Sequence, residues 1–219
     1  MKIGILGTGM VGEAIGLALI QKGHEVMIGS RTANIEKALA FVEKAGSNAY
    51  AGDFEQAANF GEWLFICLNG QFAIDVLKTI HHEAVDNKIV VDVTNPLDFS
   101  VGLPPQILEA YRTVSLSEHI QQVFPGAFVV KTLNTVNYKL MIDAREVAGG
   151  DHNMFICGND IEAKARVKSF LTDNFYWQTK TLVDLGDLKG ARAMEAIVPF
   201  WVLVYRTAGT PLFNFKMVQ

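Results

Sequence analysis

Short hydrophobic runs alternate with amphipathic stretches along most of the chain, and their spacing predicts a repeated strand–helix order. Residues 2–6 (KIGIL) read as a first strand, and a helical pattern occupies residues 10–22. Gly23-His24 breaks that helix, residues 25–28 (EVMI) form a second strand, and residues 34–44 an amphipathic helix on Ile35, Leu39 and Val42. A third strand near residues 48–51 leads into a short helix at 54–60. Residues 63–68 (WLFICL) and 89–93 (IVVDV) are almost uninterrupted apolar runs, the mark of strands covered on both faces of a parallel sheet. A helix at about 72–80 lies between them.

Beyond Asn95-Pro96 the loop FSVGLPP precedes expected helices at 106–111 and 117–124, and residues 128–133 (FVVKTL) give a sixth strand. Residues 153–157 extend the sheet, a helix follows at 161–170 and another strand near 176–182. One last helix, about 188–205, should be kinked by Pro199. This order predicts an α/β fold: a Rossmann-type doubly wound parallel sheet over residues 1–140, with a small C-terminal α+β addition over 141–219 packed on it.

Composition narrows the class of partner. A formal net charge of −4 argues against nucleic-acid binding, which needs a basic face. No apolar run approaches the roughly 18 residues of a membrane span, and the N-terminus opens on a strand-like run rather than a charged and apolar leader. The expected location is the cytoplasm. Cys67 and Cys157 stand alone in apolar runs, as buried thiols rather than a disulfide or a metal site.

Gly7-Thr8-Gly9-Met10-Val11-Gly12 fits G-x-G-x-x-G between a strand and a helix. The first glycine permits a tight turn, the second lets backbone approach a pyrophosphate, and the third lets helix and strand pack closely. The helix N-terminus then presents free N–H groups to the anion. The tip of the second strand usually carries an acid where NAD is bound. Here it reads Ile28-Gly29-Ser30-Arg31-Thr32, with no acid before Glu36. Ser30 and Arg31 suit a 2′-phosphate, and Lys37 adds charge one turn further on, so NADP is preferred over NAD.

Ligands lie at the carboxyl ends of such a sheet, where three later strand ends each offer an asparagine: Asn69, Asn95 and Asn134. Asn69 and Asn95 are expected near the nicotinamide ribose or the bridging phosphates. Asn134 and Thr135 are expected where the nicotinamide or second substrate would sit. None of His24, His81, His82, His119 and His152 forms a dyad or a ligand set, which predicts no metal and a reaction that relies on ring alignment more than on proton transfer. In the tail, Arg192 and Glu195 are spaced to pair on an exposed helix face, while Phe200, Trp201, Phe213 and Phe215 suit core packing, a dimer interface or the roof over a flat ring.

These residues resemble the NADP oxidoreductase family typified by the coenzyme F420-dependent NADPH reductases. The glycine turn with GSRT, the strand end Lys131–Thr135 (KTLNT), Phe155–Asp160 (FICGND) and the tail from Asp184 to Lys216 all carry the likeness. The resemblance implies a Rossmann domain, a C-terminal portion covering the cleft and contributing to a homodimer, and hydride exchange between NADPH and a deazaflavin (F420) or flavin. It also implies pyrophosphate contacts from Thr8, Gly9, Met10 and Val11, and 2′-phosphate contacts from Ser30 and Arg31. Asn134 stands near a position where archaeal members carry histidine, which leaves the second cofactor open. Two other readings remain at this stage: an imine or 3-hydroxyacid-type dehydrogenase, and a non-catalytic NADP-binding redox sensor.

Overall fold

The computed structural model describes residues 1–218. The N-terminal half follows the expected alternation: β1 (Lys2–Leu6), α1 (Met10–Gln21), β2 (Glu25–Ser30), α2 (Glu36–Ala45), β3 (Ala49–Asp53), α3 (Phe54–Phe60), β4 (Trp63–Ile66), α4 (Ala73–Leu77) and β5 (Ile89–Asp92). It continues through β6 (Leu97–Asp98), β7 (Gln106–Ile107), α5 (Leu116–Val123), β8 (Phe128–Thr132) and α6 (Tyr138–Ile142). The remainder is β9 (Met154–Gly158), α7 (Ile161–Phe175), β10 (Leu182–Asp184), α8 (Gly190–Ala196) and α9 (Val198–Ala208).

Eight strands form one sheet in the order β10-β9-β8-β5-β4-β1-β2-β3. From β3 to β8 every pairing is parallel, the doubly wound order with its crevice at the β1/β4 switch point. β9 runs antiparallel to β8, and β10 parallel to β9, so the sheet continues across residue 140 into the C-terminal portion.

The apolar runs explain why the central strands are buried twice. Ile3, Ile5, Trp63 and Phe65 face one hydrophobic cluster, while Leu6, Leu64 and Ile66 face the other. The first cluster also takes Phe175, Trp177 and Leu182 from the C-terminal portion. α3 lies so close over β1 that a Cβ on Gly4 would sit 2.2 Å from the Ala57 carbonyl oxygen.

Four local expectations are corrected. Residues 106–111 are not a helix: Leu97 pairs with Ile107 across the β6–β7 ribbon, and only Glu109–Tyr111 makes a 3-10 turn. α6 was not foreseen, being too short to show a period; Asn137 caps it by accepting from the Lys139 N–H. α7 runs on to Phe175 and ends at Tyr176 in the left-handed region (φ 62°), so the following strand starts only at Leu182. The last helix is two helices, because Pro199 occupies the first turn of α9, where no intrahelical N–H is required.

Candidate functional site

The glycine turn divides into positions the fold requires and one it does not. Gly7 adopts φ 123° and donates from its N–H to the Gly29 carbonyl at 2.9 Å; a Cβ there would lie 2.5 Å from the Cys67 carbonyl oxygen. A Cβ on Gly12 would meet the Gly7 carbonyl oxygen at 2.1 Å. Gly9, by contrast, is exposed, has φ −79°, and a Cβ there would touch nothing within 4 Å. It precedes α1 without a side-chain cap, so the first-turn N–H groups are left open on the side its missing Cβ clears. That cradle fits a pyrophosphate. Thr8 and Val11 are half-buried beside it, and Met10 is exposed.

At the end of β2, Ser30 is buried and its hydroxyl donates to the Thr32 carbonyl at 2.6 Å, so its proton serves the turn in this state. Arg31 and Lys37 are exposed, and neither makes an ion pair or side-chain hydrogen bond among the described residues. The acid opposite Ser30 in the register, Asp53, is committed to capping α3, accepting from the Gln56 N–H at 2.7 Å. Just past β2 the exposed Arg31 thus stands without an ion-pair partner among the described residues, with Lys37 and Glu36 in the first turn of α2.

Of the three asparagines, the fold brings two together. Asn134 Nδ2 donates to Asn95 Oδ1 at 2.9 Å and to the Met194 carbonyl at 2.8 Å, while Asn95 Nδ2 donates to the Asn134 carbonyl at 2.9 Å. Both line a cavity of about 420 Å³ at the carboxyl ends of β4, β5 and β8, with Met10 and Val11 at one side and Tyr138 and Trp201 at another. Asn69 is exposed and accepts from the Gln71 N–H at 2.9 Å, so its side chain shapes its own turn. Thr135 is buried against Met154 and does not line the cavity. Among the described residues, the lining includes no His, Asp, Glu, Lys or Arg. The Cys67 thiol, which lines it, has its pKa pushed far up by burial, with the Asp92 charge adding to the effect.

Beneath this cavity lies a buried ionic cluster. Lys131, fully buried on β8, donates to Asp92 Oδ2 at 2.9 Å, to Glu195 Oε1 at 3.2 Å and to the Thr94 carbonyl at 2.6 Å. Asp92 also accepts from the hydroxyls of Thr94 and Ser117, and Glu195 from the Leu116 N–H at 3.0 Å. Desolvation alone would lower the Lys131 pKa, but the charges of Asp92 and Glu195 outweigh it and raise the value. Burial raises that of Glu195, against the pull of Lys131. Glu195 is thus an internal anchor rather than the surface partner of Arg192. Arg192 instead makes a two-pronged contact with Glu118 at 2.7 and 2.8 Å. That contact, with further hydrogen bonds from Ser115, outweighs burial and holds the Glu118 pKa at about 2.

Among the described residues no group of His, Cys, Asp and Glu is arranged to hold a metal ion, and no helix is long and apolar enough to cross a membrane.

Residues 2–96 match the family profile described as NADP oxidoreductase, coenzyme F420-dependent. A solved structure from Arthrobacter sp. FB24, of a protein proposed to be an F420-dependent NADP reductase, is 40% identical, with full coverage of both chains and a TM-score of 0.91. The F420-dependent NADP reductase of Methanothermobacter marburgensis is 26% identical over 212 residues, covering 92% of this chain and 91% of that protein. The metalloreductase STEAP3 of Rattus norvegicus is 28% identical over 91% of this chain, which spans only 38% of the length of that protein. With one relative at 40% identity over its full length and the glycine cradle inside the matched segment, the chain belongs to the family of coenzyme F420-dependent NADP oxidoreductases.

Proposed function

We propose that this NADP-dependent oxidoreductase exchanges a hydride between NADP(H) and a deazaflavin (F420) or flavin-type acceptor, along the carboxyl edge of its sheet. The observation that carries the reading is the open α1 N-terminus at Gly9 together with the unpaired Arg31 just past β2 and Lys37 in the first turn of α2. In this reading Gly7, Thr8, Gly9, Met10, Val11 and Gly12 receive the pyrophosphate on backbone N–H groups and the helix dipole. Ser30, Arg31 and Lys37 receive the 2′-phosphate, with Ser30 rotating off the Thr32 carbonyl if it donates directly. Asn95 flanks the nicotinamide end, and Asn69 acts there through its turn. We assign the substrate-side contact to Asn134 rather than Thr135, whose hydroxyl is spent on Met154.

NADP(H), when bound, supplies the hydride at its nicotinamide ring. The chain's part is to hold two flat rings in contact and keep water out. The apolar lining of Val93, Val136, Met141, Val198 and Val202 suits that task, and no charged side chain is needed for it. An imine or 3-hydroxyacid-type reduction would also need a proton donor, for which the Tyr138 phenol is the candidate in the cavity.

Arg31→Ala should weaken NADPH binding by at least about tenfold while NADH binding changes little, because a charge-assisted hydrogen bond contributes roughly 1.5–3 kcal/mol. Equal losses for both cofactors in a titration would overturn the assignment. NADPH oxidation on adding F420, FMN or FAD, retained in Tyr138→Phe, separates ring-to-ring transfer from imine chemistry. Binding without turnover would make the chain a redox sensor.

The proposal includes a cytoplasmic homodimer. Phe200, Leu203 and Tyr205 of α9 are exposed, as are Phe99, Val101 and Leu103, and Arg206 ties the two segments by donating to the Leu103 carbonyl at 3.4 Å. Sedimentation at micromolar concentration tests it.

A further inference from the structure

Two residues that line the cavity each carry a buried polar atom with no partner among the described residues: Asn134 Oδ1 and Trp201 Nε1. The orientation of the Asn134 amide is fixed by its neighbours. Its Nδ2 faces Asn95 Oδ1 and the Met194 carbonyl, both acceptors, so a flipped amide would set oxygen against two oxygens. The leftover atom is therefore an acceptor, on a residue only 3% exposed. Trp201 Nε1 can only donate. Its ring is held by stacking on Phe213 (centroids 5.0 Å apart, planes 16° apart) and on Tyr205 (5.8 Å, 25°).

A buried polar atom left unpaired is destabilising, and nearly all such atoms in folded proteins find a partner. Here one acceptor and one donor belong to residues lining a single cavity whose walls are otherwise mostly apolar. We infer that Asn134 Oδ1 and Trp201 Nε1 together receive the amide-type edge of a flat ligand, an N–H beside a C=O. The N–H donates to Asn134 and the carbonyl accepts from Trp201. This rests on the hydride-transfer reading of the cavity. Two ligand groups carry that edge: the carboxamide of a nicotinamide ring, and the imide side of a flavin or deazaflavin ring. A simple ketone substrate carries only its acceptor half.

Trp201→Phe isolates the donor, since it removes the indole N–H and keeps a ring to stack on Phe213. On the ligand side, the 3-acetylpyridine analogue of NADPH keeps the carbonyl and lacks the amide N–H, which isolates the acceptor. Dissociation constants are measured by fluorescence titration for NADPH, for that analogue and for 2′,5′-ADP, which has no nicotinamide. FMN and F420 are titrated in parallel against protein saturated with NADP. Thermal melting controls for folding.

If the nicotinamide is the source, Trp201→Phe weakens NADPH about three- to tenfold, as a neutral hydrogen bond should, and leaves 2′,5′-ADP unchanged. The wild type then also prefers NADPH to the acetylpyridine analogue. If the second ring is the source, NADPH binding is unchanged and FMN or F420 binding weakens by the same factor. Unchanged affinity for every ligand, in a variant that melts normally, would overturn the inference and leave the two atoms to water. Failure of wild-type protein to bind NADPH or 2′,5′-ADP would overturn the cofactor assignment itself, which the other outcomes leave standing.

Discussion

Replacing Lys131 with Met tests whether the buried cluster is an anchor of the fold. One ammonium serves two carboxylates, and both Asp92 and Glu195 are almost wholly out of water. Removing one partner of a buried pair costs roughly 3–5 kcal/mol, because the charge left behind has no water to replace it. The Thr94 carbonyl loses its donor as well. Against a total stability of about 5–15 kcal/mol, the variant should be folded but marginal at pH 8. Its melting temperature should fall by roughly 6–20 °C, at about 2–4 °C per kcal/mol for a chain of this size. The pH dependence carries the sharper test. The Glu195 pKa is already raised by burial, so this group's contribution to stability is fully present below the unfolded carboxylate value and is lost as pH rises through the folded one. Lys131 is the charge that holds that value down, so its removal moves the loss to higher pH and enlarges it. The deficit of Lys131→Met should therefore be greatest near pH 8 and shrink toward pH 5, where Glu195 takes up a proton. Adding Glu195→Gln should recover part of it. Denaturant unfolding at several pH values measures all of this. A loss below about 1 kcal/mol at pH 8, or a deficit that grows on acidification, would refute the reasoning.

Gly9→Ala and Gly12→Ala should separate binding from folding. The first adds a methyl group in open space at an allowed backbone conformation, so melting should hold or rise while NADPH affinity falls in a titration. The second drives a methyl group onto the Gly7 carbonyl and should lower stability by at least about 1–3 kcal/mol in a denaturant melt. Arg192→Ala should change the melting temperature little, since its pair with Glu118 is partly exposed and screened by water. The Glu118 carboxyl should then titrate well above its present value of about 2, followed by NMR. In the wild type that pair's contribution is present above the ordinary carboxylate range and is lost as pH falls through the folded value.

What was legible in the sequence was what depends on near neighbours. The runs WLFICL and IVVDV announced strands buried on both faces, and each glycine of the turn answers to a nearby backbone carbonyl or to open space. The misses arose where a distant contact decided the outcome. α6 forms because Asn137 caps it and the Trp177 indole donates to the Met141 carbonyl, neither of which leaves a periodic signal. Residues 106–111 have a helical composition, yet Ile107 is claimed by Leu97. Glu195 has Arg192 at helical spacing, but a lysine 64 positions away reaches it first because β8 delivers Lys131 under α8. Asn95 and Asn134 were readable as members of one rim. That they would lock together while Asn69 stood apart depends on β5 and β8 being neighbours.

The ionic cluster and the asparagine pair are parts of one construction. Lys131 holds the Thr94 carbonyl, next in the chain to Asn95, and binds Glu195, next to the Met194 whose carbonyl holds Asn134. Each asparagine is thus one residue from a group fixed by the buried lysine. Hydrogen bonds and charges out of water tolerate little displacement, because any lengthening leaves a desolvated group unpaired. The floor of the cavity is therefore stiff. Its roof, Trp201, is held by stacked rings on α9 and on the tail segment carrying Phe213 and Phe215, and that segment is itself pinned: Asn214 Nδ2 donates to the Asn153 carbonyl at 2.7 Å and the Asn153 N–H to the Phe215 carbonyl at 3.0 Å. A stiff polar floor facing a pinned roof of stacked aromatics would fix the angle and depth of a flat ligand. On the proposed hydride-transfer reading, two rings pressed face to face need that geometry, because their overlap depends on angle and depth together.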